Sequence, residues 1–509
     1  MAKIRSLAHN DYFERKHSLE HRGDFLFLHE KISAKNTFSR ENFEILFVVI
    51  LFFVVLFTAV FLIFGFLKLW ILLFSMLLLF YFSSLIFKAL LIIISLNKKI
   101  PSPTINDIDS IKKVDLPPYT ILVPIYKEAS VLPGFIKHMK QMDYPKEKLD
   151  IRLLLEEDDI ETIQVAKNLK LETQFKLVII PQVGPKTKPK ALNVGIIDND
   201  SEILTIYDAE DRPEFDQLKK VAWAFKNLPK DVVCVQAKLT FYNAEENLLT
   251  KWFYAEYHSW FNHFLPALFA KSLPIPLGGT SNHFKTSILK EIGAWDPYNV
   301  TEDADLGIRI SRLGYKISMI DSLSVRNTTL DSKTNRPIIV MNTTTYEEAN
   351  NVFLNWFYQR TRWIKGYLQT AIVHLRNPVQ AIRDMSWRGF LSFFFFIVGT
   401  PLSHILNLFA WTTTILWLIN YYVIPLGIPN FLLVGGWISL IVGNTLFILL
   451  HVFPALKSRK LKIALASLLI PIYWLMMSLA TLRAFYQLIL KPHYWDKTRH
   501  GLTKISFKA

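Results

Sequence analysis

The chain is poor in the features that would let it be read as a small secreted domain or a nucleic-acid binder. It has one cysteine, Cys234, so no disulfide can form within it; set in the apolar run Val232–Val235, it reads as a small core residue. No apolar stretch occurs in the first forty residues, so no cleavable signal peptide is expected. No internal repeat or low-complexity tract is present, and the apolar runs are too few for the usual repeat-built transporters. No nucleic-acid motif accompanies the net charge of +15, whose basic residues are scattered. The excess therefore reads as positive-inside bias and attraction to anionic lipid headgroups, and no nucleic-acid partner is expected.

What the chain does have is apolar sequence: 51% of its 509 residues are hydrophobic and 20% are charged. That is too apolar for an ordinary soluble enzyme and too charged for a bare helix bundle, so membrane spans plus an aqueous domain are expected. Residues 1–40 carry mixed charge and read as a cytosolic segment. Within 41–97, Phe43–Phe66 and Leu69–Leu96 each reach the about 20 residues that cross a bilayer. Gly65, Lys68 and Trp70 mark the break between them, and Lys98-Lys99 supports a cytosolic exit. Apolar runs return over 389–490 as Phe390–Pro425, Phe431–Phe453 and Leu461–Leu490, giving three or four spans with Pro401 and Pro471 as break points. The loop Lys457–Lys462 and the basic tail 491–509 both read as cytosolic, which would make Leu461–Leu490 a re-entrant hairpin; a single long span would put the tail outside.

Between these regions, 101–388 alternates short β-rich runs with helical patterns. Strands are expected at Thr120–Ile125, Ile151–Leu155, Lys176–Ile180, Ile203–Tyr207 and Val232–Val235, and helices near Val131–Met142, Thr162–Leu169, Ala191–Ile197 and Gln217–Asn227. The pattern predicts an α/β domain, a mostly parallel sheet with helices on both faces, flanked by transmembrane helices. Ligands of such sheets bind at the carboxyl ends of strands, where the polar motifs fall.

Asp208 and Glu210, spaced i, i+2 after a strand, can point together at one Mg²⁺ or Mn²⁺, although acidic surface turns are common. Glu156-Glu157-Asp158-Asp159 is a second acidic strand end, suited to a base N–H or simply solvated. Lys186–Asn193 opens a helix with lysines that suit phosphate. Thr301-Glu302-Asp303 starts a helix; Asp303 can act as a general base, and Thr301 can equally be an N-cap with acids in the first turn. Gln359 and Arg362 share a helix face with Trp363 beside them, within an aromatic stretch at about 350–370 that also fits an interfacial helix. Gly278–His283 is a small-residue loop in which Gly279 and Thr280 can let an acceptor approach, or is a plain turn.

In this order, the strand-end acid, the acid pair, Thr301-Glu302-Asp303 and Gln359-Arg-Thr-Arg-Trp363 resemble the family-2 glycosyltransferases of the membrane-embedded, processive type, which include cellulose, mannan, hyaluronan and glucan synthases. Tyr207–Asp211 and Gln359–Gly366 are most similar to a bacterial subgroup that includes the phage adsorption protein B type. The resemblance covers about residues 110–380. It implies a GT-A fold, a UDP-sugar or GDP-sugar donor, a divalent metal on Asp208 and Glu210, and inversion at the anomeric carbon. Glu157 or Asp158 would meet the base and Lys188 the donor. Asp303, with Glu302 beside it, would be catalytic. Gln359, Arg362, Trp363, Gly279 and Thr280 would hold the acceptor and diphosphate. The sequence departs from the family in using Asp-x-Glu for the metal pair, in its four-acid strand end, and in a longer stretch at Ser322–Asn342.

The expected protein is thus a multi-pass inner (plasma) membrane enzyme with a cytosolic catalytic domain. It would extend a β-linked polysaccharide and thread it across the bilayer, its partners being a nucleotide sugar, a carbohydrate acceptor and lipid. A transferase making a glycolipid or lipid-linked sugar is the alternative, and an inactive receptor or scaffold the second. No regulatory nucleotide-binding module follows the catalytic region, and the sequence names no secretion or periplasmic partner.

Overall fold

The computed structural model describes residues 20–22, 25–27, 40–97, 100–182, 186–321, 325–330, 337–339, 344–422, 434 and 438–505. The expected segment 1–40, the Lys98-Lys99 exit, the insertion Ser322–Asn342 and the start of the run Phe431–Phe453 lie wholly or largely outside them.

The two N-terminal apolar runs are joined without a loop in α1 (Arg40–Leu96), where Gly65 alone has non-helical angles (φ 77°, ψ 165°). A positive φ is nearly free of cost only for glycine, so the break falls where the sequence supplies one.

Seven strands then form the central sheet: β1 (Tyr119–Ile125), β2 (Leu149–Glu156), β3 (Phe175–Ile180), β4 (Ile203–Ile206), β5 (Val232–Gln236), β6 (Asn282–Lys285) and β7 (Lys316–Met319). Their spatial order is β7-β5-β6-β4-β1-β2-β3. All neighbours are parallel except β6, which runs antiparallel to β4 and β5. The sheet is therefore mostly parallel, as its Val/Ile/Leu-rich strands imply, because a strand covered on both faces has no polar side to alternate with. Side-chain parity sorts the two cores. Leu122 and Leu154 pack on Ala191, Leu192 and Val194, whereas Ile121, Val123, Ile151 and Leu153 pack on Leu132, Phe135 and Ile136. These helical partners belong to α2 (Leu132–Met139), below which α3 (Ile160–Asn168) also lies, and to α4 (Lys188–Gly195), while α5 (Gln217–Asn227) follows β4. A three-stranded sheet of Lys238–Phe241, Arg212–Pro213 and Thr344–Glu347 sits beside the main one.

Helix α6 (Leu248–Ser259) leads on to α7 (Glu302–Arg312), which carries the Glu302-Asp303 pair, and α8 (Phe353–Leu375), which carries Gln359–Trp363. Thr301 stands at the α7 N-cap with Glu302, Asp303 and Asp305 in the first turn, as expected from sequence, although its hydroxyl makes no capping bond. Its side chain is instead pressed against Gly366 of α8. Asp305, fully buried, joins the helices further along by accepting from Arg309 (3.4 Å) and meeting Nε2 of His374 (3.0 Å).

The C-terminal apolar region forms α9 (Pro378–Phe393), broken at Ser386, then α10 (Gly399–Tyr422), α11 (Asn444–Lys457), α12 (Leu461–Ser467) and α13 (Ile470–Leu490). Among the described residues, Ser75–Leu96 and Pro378–Leu408 are long and apolar enough to cross a membrane. The α12–α13 pair, bent by 61°, makes a third if counted as one span.

A Cβ at Gly366 would lie 2.2 Å from Oγ1 of Thr301. Gly366→Ala must therefore push α8 from the start of α7, at a cost of roughly 1–3 kcal/mol. We expect a lower melting temperature for Gly366→Ala in detergent, and recovery of most of it when Thr301→Gly removes the overlap.

Candidate active site

A single cavity of about 500 Å³ opens at the carboxyl ends of β1, β2 and β4 and continues between the apolar helices. Ten of the twelve residues singled out from sequence line it: Lys188, Asp208, Glu210, Gly279, Thr280, Glu302, Asp303, Gln359, Arg362 and Trp363. Glu157 and Asp158 do not; both are exposed, and Asp158 pairs with Lys186. Strand parity explains this. Glu156 shares the β2 face of Leu154, so it points toward α4, lines the cavity and pairs with Lys190 at 2.9 Å.

The turn after β4 is organised by Asp211, which accepts from the Asp208 N–H (2.7 Å) and from the Thr280 hydroxyl. This leaves the Asp208 and Glu210 carboxylates free to face the cavity. Lys188, at the start of α4, donates to Asp208 (2.5 Å) and to the Gly279 carbonyl (2.8 Å). Gly279 is the point of closest approach: a Cβ there would sit 3.6 Å from Oδ2 of Asp303 and 3.9 Å from Nζ of Lys188, in the space between them.

Desolvation dominates the electrostatics. Burial, reinforced by the Asp303 charge, raises Glu302 to about 8 despite Lys188 and Arg362. Burial also raises Asp303. Asp211 is pushed well up by burial and by Asp208 and Glu210. Oε2 of Glu210 and Oδ1 of Asp211 are buried without a hydrogen-bond partner among the described residues. Hard anionic oxygens with unused lone pairs fit a divalent cation of the Mg²⁺ or Mn²⁺ class.

Sequence reasoning missed one whole side of the site. The basic tail forms a strap that crosses the cavity mouth and contributes Trp495, Lys497, Thr498 and His500 to its lining. Nδ1 of His500 lies 2.9 Å from Glu210, and Lys497 pairs with Glu128. Ligand atoms of Glu128, Glu210 and His500 all fall within 4.8 Å of one another. The N–H groups of Gly501, Leu502 and Thr503 donate to Glu348 at 2.7, 2.8 and 2.9 Å. Fully buried Lys365 of α8 holds the base of the strap by donating to the Tyr494 carbonyl (2.6 Å) and to Gln487 (3.1 Å). Only the match of basic tail to acidic turn hinted at this arrangement.

Helix α8 forms the opposite wall. Arg362 stacks on Trp495 (4.3 Å to the ring centroid), and Gln359 accepts from Asn350 (2.9 Å). Trp363 stacks beside Tyr257 (6.1 Å, 25°), and Arg360 makes a two-pronged contact with Glu256 at 3.0 and 2.5 Å.

Burial alone would raise Glu210 and lower His500. The pairing instead holds Glu210 down at about 2, with Lys497 assisting, and holds His500 up at about 9 against the opposing charge of Lys497. The acid's contribution is lost only as pH falls through its lowered value, and the imidazolium's as pH rises through its raised one, so the clasp is intact across neutral pH. With metal chelated, protease sensitivity of the strap is expected to rise as pH passes about 9 in the wild type, and to be high already at pH 7.5 in His500→Ala.

Residues 117–366 match the family model described as glycosyltransferase-like family 2. A probable glycosyltransferase, YdaM, of Bacillus subtilis is 26% identical over 60% of this chain and 72% of its own. A probable glucomannan 4-beta-mannosyltransferase 7 of Oryza sativa is 29% identical over 42% of this chain and 37% of its own. A beta-monoglucosyldiacylglycerol synthase of Nostoc is 24% identical over half of each chain. Among solved structures, the mannosyltransferase PcManGT from Pyrobaculum calidifontis, in complex with GDP-Man and Mn²⁺, superposes with a TM-score of 0.51 at 16% identity, over 82% of this chain and 97% of its own. That likeness is one of fold, and it agrees with the GT-A-like α/β domain built above. Residues 117–366 are therefore a glycosyltransferase family 2 domain, and the protein is a glycosyltransferase.

Proposed function

We propose that the enzyme transfers a sugar, with inversion, from a nucleotide-sugar donor to a β-linked polysaccharide at the cytosolic face of a membrane, and that the product passes between the apolar helices. One observation carries this reading: the cavity holding Asp208, Glu210 and Asp303 runs without interruption to Trp411 and Trp474 on α10 and α13. Aromatic faces along such a path suit sugar rings.

The donor would enter under the strap, its base toward Glu128 and Glu156 and its diphosphate toward Lys188, Asp208 and Glu210. A divalent cation bound by Asp208 and Glu210 supplies charge neutralisation for the departing diphosphate. Arg362, held by the Val300 carbonyl (3.3 Å) and Trp495, faces the same place as a fixed cation. The acceptor hydroxyl attacks the anomeric carbon, its proton passes to Asp303, and the bond to the diphosphate breaks. Burial favours the proton on Asp303, which suits a base that must receive one. Gln359, Trp363, Gly279 and Thr280 would seat the acceptor end.

The relatedness to a glycolipid-forming synthase favours a second reading, a single transfer to a lipid acceptor. Membranes bearing wild type or Asp303→Asn, incubated with radiolabelled UDP- and GDP-sugars plus Mg²⁺ or Mn²⁺, separate the two readings. High-mass product from wild type is expected, with Asp303→Asn slower by about 10²–10⁴-fold. Short, lipid-extractable product would replace polymer extension by the second reading. Incorporation at wild-type rate by Asp303→Asn would remove that residue as base.

A further inference from the structure

The charge along the cavity changes sign. Its mouth carries eight carboxylates against four lysine or arginine side chains, the balance a metal-bound diphosphate needs. Deeper, between the helices, the only carboxylate among the described lining residues is Glu256, and Arg360 neutralises it through both oxygens. Lys88 of α1 is then a surplus cation. It lies in the apolar stretch Ser75–Leu96, eight residues before its end, about 12 Å along the helix axis. Its Nζ faces the Phe447 ring at 5.4 Å and makes no ion pair or hydrogen bond to a described residue. Two imidazoles line the same section: His451, and His404 with a buried Nε2 that has no hydrogen-bond partner among the described residues. An ammonium group in so apolar a helix is costly unless function retains it, and its usual answer is an anion.

Resting on the reading that the acceptor occupies this cavity, we propose that the acceptor is anionic. A carboxylate or phosphate group set back from the reacting hydroxyl would sit against Lys88, with His404 and His451 as hydrogen-bonding neighbours. Two sources present this chemistry: an acidic sugar within the chain, or the phosphate of a lipid-linked sugar. With the metal and the donor diphosphate filling the mouth, such a group settles beyond Glu302 and Asp303 while the neutral reacting end stays at Asp303. Lys88 would thus select the acceptor and fix its register without touching the reacting atoms.

The test measures binding without donor, by calorimetry on the full chain in phosphatidylcholine nanodiscs. Two matched pairs serve as probes: a β-linked glucose tetrasaccharide with and without one glucuronate, and dodecyl glucosyl phosphate with dodecyl glucoside. The anionic member of one pair is expected to bind at least tenfold tighter. Lys88→Gln should bring that pair level, and Lys88→Arg should restore the preference. The pair that discriminates identifies the source. Equal binding within both pairs in wild type, or a preference that survives in Lys88→Gln, overturns the proposal. The preference found together with short products would sink polymer extension and leave the anionic acceptor standing.

Discussion

Setting Asp208, Glu210, Asp211, Glu302, Asp303 and Glu347 around one poorly hydrated space brings like charges together where water screens them least. Burial raises Glu302 and Asp303, and burial together with the neighbouring carboxylates pushes Glu347 and Asp211 well above the usual range. A protein can hold such a cluster only by supplying positive charge or by keeping protons on it. This one supplies positive charge from three directions: Lys188 from the start of α4, Arg362 from α8, and Lys497 with His500 from the strap. The geometry of the active site is largely the geometry of that compensation.

The strap follows from the same constraint. Residues 491–505 have no regular secondary structure and few apolar anchors, so their place is fixed by hydrogen bonds and ion pairs. Glu348 gathers three successive N–H groups, and Lys365, whose burial lowers it to about 7, gathers carbonyls at the other end. Such contacts hold a segment without a core beneath it. Local stability of this kind is low compared with that of a buried strand, which is the property a cover over a substrate site needs.

The parts of the fold that were legible in sequence are those in which one local pattern decides the structure. The strands of 119–236 are continuous Val/Ile/Leu runs, because both faces are covered, and they fall within a residue or two of expectation. The acidic turn after β4 and the Gln359–Trp363 wall were visible because their spacing is local. Three features were not, each for a physical reason. Which acid at the end of β2 enters the cavity is a question of parity, and a shift of one residue separates buried Glu156 from exposed Glu157. The antiparallel β6 begins in a small-residue loop, where Ser281 takes a positive φ of 56°, and its pairing with β4 and β5 is wholly non-local. The strap acquires meaning only from Glu128, Glu210 and Glu348, which lie 150 to 370 residues earlier.

Helix α8 shows how one short motif can serve both halves of the cavity. Successive residues on a helix are turned by about 100°, so Gln359 and Arg362 share one flank while Arg360 and Trp363 share the other. The first flank meets Asn350, the Val300 carbonyl and Trp495, all at the mouth. The second meets Glu256, Phe253 and Tyr257, and Arg360 lies over the Trp363 ring at 4.5 Å. Neither flank can be moved alone, since both ride on a helix locked to α7 by the close contact of Gly366 with Thr301. Glu302 and Asp303 at the start of α7 and the deeper wall of the cavity are therefore positioned by a single rigid element. The start of α7 and the depth of the cavity thus keep a fixed distance from each other.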